Sequence, residues 1–250
     1  MLPSLECVGS GCPGDPLFAT VDQTFSQSFL FLATFLFISR PPPVILMWVA
    51  PKEEKKRALR NATLPRRNSL SKSERFLWSR LIQAKALQLP PYLASSSVLL
   101  YSPVQNEVCT DDILEHSLSQ GRKVFYPKLR SGYSVDLIQV LSLVEMRAGR
   151  FGILEPTGST LLAETDRAGL VVFVPGVAFD PRGNRLGRGK GWYDRLLKRL
   201  GDAMFVALAY EFQIIEEVPT ESWDQKIHYV VTEDRVIDCA ESSAQSNQIF

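Results

Sequence analysis

The sequence predicts an α/β fold with a largely parallel sheet, and three observations carry that expectation. Short apolar runs alternate with segments of helical period, the pattern of repeated β–α units. One run, Leu170–Val174 (LVVFV), is apolar at every position, as a strand covered on both faces must be. The glycine-rich loop that follows feeds a segment with Tyr193, Leu196, Leu197 and Leu200 at i, i+3, i+4 and i+7.

Lys52–Thr63 (KEEKKRALRNAT) reads as a charged helix ending before Pro65, because the residue ahead of a proline is steered out of helical angles. Ser71 and Glu74 have the spacing of a capping box and open a helix to about Leu89. Trp78, Leu81, Ile82, Lys85 and Leu89 then share one face, and Pro90-Pro91 stops the helix. Val98–Tyr101 is a short strand. Thr110 caps a further helix that Gly121 ends. Val124–Tyr126 is the next strand, and Val135–Val140 alternates enough for a sheet edge or a hairpin. A helix over about Gly191–Leu200 precedes two late strands, Phe205–Tyr210 and Tyr229–Thr232. There is no internal repeat.

Pro41–Pro43 marks the boundary of one domain over 48–240, followed by a polar tail, 241–250 (ESSAQSNQIF). Residues 1–46 have another character. Their apolar run Phe29–Ile38 is about ten residues long, against about 20 for a membrane-spanning helix. Glu6, Asp15 and Asp22 precede it without a Lys or Arg, and no small-residue cleavage site follows, so it lacks the marks of a secretory leader. We read Met47 as the initiator and 1–46 as a translated upstream region. The remaining readings are a membrane anchor or signal, and a tail without a role.

A net charge of +1 and a pI near 7.6 count against a general nucleic-acid binder, which carries a basic excess. The four cysteines, Cys7, Cys12, Cys109 and Cys239, form no C-x-x-C pair and have two histidines for company. Neither a zinc site nor a disulfide framework is expected, and reduced thiols point to the cytoplasm.

The chemistry is concentrated in Gly183–Leu200, GNRLGRGKGWYDRLLKRL. Gly183, Gly187, Gly189 and Gly191 let backbone amides approach a ligand, and the helix that follows offers unpaired N–H groups and positive dipole. Phosphate suits that arrangement, and Arg185, Arg188 and Lys190 add full charges. The Walker pattern is absent, since Gly191 follows Lys190 where Ser or Thr would stand. Read alone, the loop is either a phosphate cradle or a surface turn with solvated charges. Asp194 either complements the helix dipole or offers one oxygen to a nucleotide's Mg²⁺.

Val174–Leu197 (VPGVAFDPRGNRLGRGKGWYDRLL) resembles the 5-formyltetrahydrofolate cyclo-ligase family, also called methenyltetrahydrofolate synthetase. Its block P-G-x-x-F-D…G-x-R-L-G-x-G-x-G-[YFW]-Y-D is matched nearly throughout. Lys56–Arg60 (KRALR), Ser102–Thr110 (SPVQNEVCT) and Gly152–Pro156 (GILEP) agree in order, so the resemblance spans about 52–235. It implies a Rossmann-like layered sandwich akin to sugar-phosphate isomerases and CoA transferases. It also implies ATP-dependent ring closure of 5-formyltetrahydrofolate to 5,10-methenyltetrahydrofolate. The formyl oxygen attacks the γ-phosphate and ADP leaves; N10 then attacks the activated carbon and phosphate departs. The protein's part is positioning and charge neutralisation.

Carried over by position, Lys56, Arg57, Ala58, Leu59 and Arg60, with Arg185, Leu186, Gly187, Arg188, Gly189, Lys190, Gly191, Trp192 and Tyr193, bind ATP. Arg188 and Lys190 serve the chemistry. Ser102 and Glu107 face the folate, with Tyr101 and Phe151 as stacking candidates that could equally be core. Asp194 and Asp224 are the metal-site carboxylates; His228 stands where the family frequently has another aspartate, a departure at this end of the site. The expected partners are small molecules alone, with no nucleic acid and no membrane, and the protein is expected to be a monomer. Two alternatives remain from the residues: a phosphate-ester isomerase or CoA-transferase-like enzyme on the same fold, and a non-catalytic nucleotide-binding paralogue.

Overall fold

The computed structural model describes residues 51–130, 134–149 and 153–246. The segment 1–46, Met47 and Phe151 lie outside them. Helices α1 (Lys52–Asn68), α2 (Lys72–Ala86) and the short α3 (Pro90–Leu93) precede strand β1 (Ser97–Leu99). Helix α4 (Asp111–Ser119) leads to β2 (Lys123–Leu129) and β3 (Val135–Val140), then to a small hairpin, β4 (Met146–Ala148) and β5 (Leu154–Pro156). Strand β6 (Leu170–Val174) is followed by a second small hairpin, β7 (Ala178–Phe179) and β8 (Arg185–Leu186). Helix α5 (Trp192–Arg199), β9 (Met204–Leu208), β10 (Tyr229–Val231), β11 (Val236–Asp238) and α6 (Cys239–Ser246) complete the described chain. Among the described residues no helix is long and apolar enough to cross a membrane.

Seven strands form one sheet in the order β11-β10-β9-β6-β1-β2-β3. Its five inner strands are parallel, and the edge strands β11 and β3 pair antiparallel with their neighbours. The all-apolar β6 sits at the middle, buried at every position. Successive side chains point to opposite faces: Val171 and Phe173 join one core with Ile82 and Ala86 of α2 and Ile113 and Leu114 of α4. Leu170, Val172 and Val174 join another with Leu196, Leu197 and Leu200 of the α5 segment. Helices therefore cover both faces of the sheet, as the layered-sandwich expectation requires.

This topology fixes where a ligand can bind. Strands β1 and β6 are parallel neighbours. The chain leaving β1 crosses by α4 on one face, and the chain leaving β6 crosses by α5 on the other. Their outgoing loops diverge at the carboxyl ends, the switch point at which open α/β sheets bind ligands. The 100–110 segment leaves β1 there, and the β7–β8 hairpin with its glycine loop leaves β6.

Several expected boundaries need correction. Helix α1 runs past Pro65 to Asn68. Proline lacks an N–H, but tertiary bonds to Arg67 and to its carbonyl hold the last turn in place. Helix α2 keeps the capping box at Ser71 and Glu74 but ends at Ala86 rather than Leu89, and Pro90 opens α3 instead of only stopping α2. Leu81 lies on the outer face of α2, 44% exposed, because the helix turns Ser79, Ile82, Gln83 and Ala86 inward. Thr110 precedes α4 without capping it by its side chain; its hydroxyl donates to the Tyr101 carbonyl. The polar segment from 241 begins as the continuation of α6.

Candidate active site

Helix α1 meets the switch point with an unusual face. Lys56, Arg60, Thr63 and Arg67 lie at i, i+4, i+7 and i+11, one stripe of the helix. Lys56, Thr63 and Arg67 are buried, while Leu59 and Leu64 pack beside them on Val177, Ala178, Leu186 and Val218. Arg60 Nε donates to the Gly187 carbonyl at 3.0 Å. Gly189 has φ +94°, and a Cβ there would stand 3.4 Å from the Arg60 guanidinium, so the loop lies directly against that side chain. Arg57 and Ala58 are exposed away from this stripe, with Arg57 3.9 Å from Glu54.

The glycine loop is built from a rigid base. Asp180 is fully buried and its Oδ1 accepts from the Arg182 and Asn184 amides, each at 3.0 Å. Its Oδ2 accepts from Asn184 Nδ2 at 2.7 Å and from the Val218 amide at 2.9 Å. That carboxylate sets the β7–β8 turn. Leu186 is core, so it can offer a ligand only its backbone. Arg185 is also buried; its Nη2 donates to Asp194 Oδ1 at 2.5 Å, and its guanidinium lies 5.6 Å from the Tyr193 ring centre. Gly187, Arg188, Gly189 and Lys190 then come to the surface, and Gly191, at φ +62°, turns the chain into α5. Trp192 and Tyr193 lie with ring centres 3.9 Å apart, tilted by 33°, at the start of that helix. Burial pushes the Tyr193 phenol well above its ordinary range.

The third component is the loop after β1. Gln105 and Asn106 take φ +47° and +58°, left-handed angles uncommon outside glycine. This turn presents Glu107, which is 6% exposed. Its Oε2 accepts from the Val104 amide at 3.1 Å. Its Oε1 lies 3.0 Å from Arg188 Nη2 and 3.6 Å from Arg67 Nη2. Arg188 also donates to Gln105 Oε1 at 2.6 Å, so the glycine loop and the Glu107 loop are joined. Burial pulls the Arg67 guanidinium down from its ordinary range, and Glu107 opposes that pull. Tyr101 is buried with its hydroxyl donating to the Val108 carbonyl, and Ser102 donates to the Leu154 carbonyl at 2.6 Å. In these positions both brace the loop.

The carboxylates are already partnered. Asp194 faces Arg185. Asp224 Oδ2 accepts from the Glu221 amide and lies 3.7 Å from Lys56 Nζ, with Glu221 3.8 Å from the same ammonium. Among the described residues no three His, Cys, Asp or Glu side chains form a group fit to hold a metal. A cation held here would have to bring most of its own ligands, as Mg²⁺ on a nucleotide does. His228 accepts the Phe205 amide proton at 2.9 Å beside β9.

The structure thus sets Arg60 against Gly187 and Gly189 and Arg188 against Glu107, while Lys56, on the same helix face as Arg60, is paired with Glu53, Glu221 and Asp224. Arg67, Asn106, Asp180 and Glu221 join them without having been read from the sequence. The continuing i, i+4, i+7, i+11 stripe was the one signal for Arg67, and Pro65 hid it.

The sequence profile of the 5-formyltetrahydrofolate cyclo-ligase family matches residues 52–233. The mouse (Mus musculus) 5-formyltetrahydrofolate cyclo-ligase is 33% identical over 190 residues, covering 72% of this chain and 94% of the mouse protein. The Haemophilus influenzae protein of that name is 30% identical, covering 68% of this chain and 94% of its own. The Aquifex aeolicus 5,10-methenyltetrahydrofolate synthetase has the same fold, with a TM-score of 0.65 and 36% identity over 74% of this chain and 92% of that structure. The chain belongs to the 5-formyltetrahydrofolate cyclo-ligase family.

Proposed function

We propose that this chain cyclises 5-formyltetrahydrofolate to 5,10-methenyltetrahydrofolate, consuming ATP and releasing ADP and phosphate. The observation that carries this reading is the meeting, at the carboxyl ends of β1 and β6, of a cationic helix face, a glycine loop and a buried glutamate. Lys56, Arg60, Arg188 and Lys190 neutralise the phosphates, and the backbone from Gly187 to Tyr193 lines them at the start of α5. Arg57, Ala58, Leu59 and Leu186 contribute by backbone or packing rather than by side-chain contact, and Arg185 holds Asp194 in place.

Glu107 is an acceptor with no proton to give when ionised, so it suits the N–H groups of the pterin ring. Ser102 and Tyr101 hold its loop, and Phe151 remains a stacking candidate. Mg²⁺, when bound with the nucleotide, would offset phosphate charge; Asp194 would offer it the oxygen that Arg185 does not hold, and Asp224 would first have to leave Lys56. We further place the protein in the cytoplasm as a monomer acting on small molecules alone; Cys109 is a free thiol, and the near-neutral charge disfavours nucleic acid.

The test is an assay of the full chain with ATP, Mg²⁺ and 5-formyltetrahydrofolate. Equal amounts of ADP and methenyl product are expected. Phosphate-ester turnover without ATP, or ADP release indifferent to the folate, would overturn the reading.

A further inference from the structure

Building on that function, we propose that Arg67 is a positioning residue: it is the permanent counter-ion of Glu107 and sets the carboxylate for the folate while Arg188 turns to the phosphates. Arg67 is 1% exposed and cannot leave its place. Its Nε donates to the Gln105 carbonyl at 3.1 Å and its Nη1 to the Gly176 carbonyl at 2.9 Å. One guanidinium thus spans the loop leaving β1 and the turn leaving β6, the two lips of the switch-point crevice. Its third nitrogen, Nη2, is buried without a hydrogen bond and faces Glu107 Oε1 at 3.6 Å.

The clasp is reciprocal. Asn106 Nδ2 shares its amide among the carbonyls of Arg67, Asn68 and Leu70, at 3.2, 3.2 and 3.4 Å, and so closes the end of α1. Two successive left-handed residues, Gln105 and Asn106, persist where the surroundings over-determine them. Arg67 and Asn106 supply that constraint from opposite sides, and the outcome is the direction in which Glu107 points.

Glu107 Oε1 is shared by two guanidiniums of unlike freedom. Arg188 has a side chain 37% exposed and sits on the glycine loop, whereas Arg67 is tied at two other nitrogens. When Arg188 engages phosphate, a buried carboxylate left alone would be strongly disfavoured. Nη2 of Arg67 is already placed to take over. The same helix carries Lys56 and Arg60 to the phosphates, so α1 sets the spacing between the two halves of the site.

The experiment measures initial rates of the full chain with 5-formyltetrahydrofolate and ATP varied separately, for wild type, Arg67→Lys, Arg67→Met and Asn106→Gly. Lysine keeps the charge but not the fork, and glycine keeps the left-handed angle without the amide. The folate KM should rise about 10-fold or more, while the ATP KM stays within about threefold. Ile82→Val, a core change in α2, should lower the thermal midpoint and leave both KM values alone. Should Arg67→Met not fold, Arg67→Lys and Asn106→Gly decide. Folate and ATP KM values that move together, or a folate KM that does not move, overturn the assignment. Wild-type protein without folate-dependent ADP release overturns the functional reading and this assignment with it.

Discussion

Replacing Asp180 by asparagine changes one atom and removes the charge that organises the turn beneath the glycine loop. The Oδ1 of the new amide can keep the Arg182 and Asn184 backbone bonds. Its NH₂ then faces two donors, Asn184 Nδ2 and the Val218 amide. Asn184 can turn its own amide and offer an oxygen, but the Val218 N–H cannot turn. One buried N–H is stranded, at a cost of about 1–3 kcal/mol, and bonds to a charged acceptor become bonds to a neutral one. The sum is about 3 kcal/mol, which for a domain of this size lowers the thermal midpoint by roughly 6–12 °C. Thermal unfolding followed by circular dichroism measures it. Asp180→Ala, which leaves all four donors stranded, should be worse. A midpoint within about 2 °C of wild type for Asp180→Asn would refute the idea that this carboxylate holds the turn.

Lys190→Ala should lower kcat by about 100-fold or more with the thermal midpoint nearly unchanged, since the residue is exposed and the part proposed for it is charge neutralisation; methenyl product absorbance follows it, and wild-type turnover would remove Lys190 from the chemistry. Asp194→Ala should raise the Mg²⁺ concentration for half-maximal rate several-fold and also loosen Arg185, its ion-pair partner, and a coincident Mg²⁺ titration would remove Asp194 from the metal's surroundings.

Much of the fold was legible because it follows from local pattern. Leu170–Val174 reads as a fully covered strand and occupies the centre of the sheet. Val135–Val140 reads as an edge or hairpin strand and is the antiparallel edge. The capping box at Ser71 depends on residues three apart and forms as read. The misreadings lie where distant contacts decide. Pro65 ends a helix in isolation, but Arg67 is bonded to residues 38 and 109 positions away, and those bonds carry α1 a turn further. Leu81 looks inward by helical spacing, yet polar Ser79 and Gln83 take the buried face because they bond the Cys109 and Ile113 amides ahead of and within α4.

The candidate site divides in the same way. Lys56, Arg60, Glu107 and the glycine loop carry their motif on the chain itself. Arg67, Asn106 and Asp180 act by holding other groups, and nothing in their immediate neighbours announces it. Arg185 shows the converse: the motif names it among the phosphate ligands, and the fold buries it against Asp194.

If α1 and the glycine loop form one phosphate site, Arg60, which meets Gly187 and Gly189, is the residue that joins them. Calorimetric titration of ATP into wild type and Arg60→Ala tests it most directly. The variant should bind ATP about 10-fold more weakly, about 1.4 kcal/mol, with the fold intact. Equal affinities for the two proteins would contradict it.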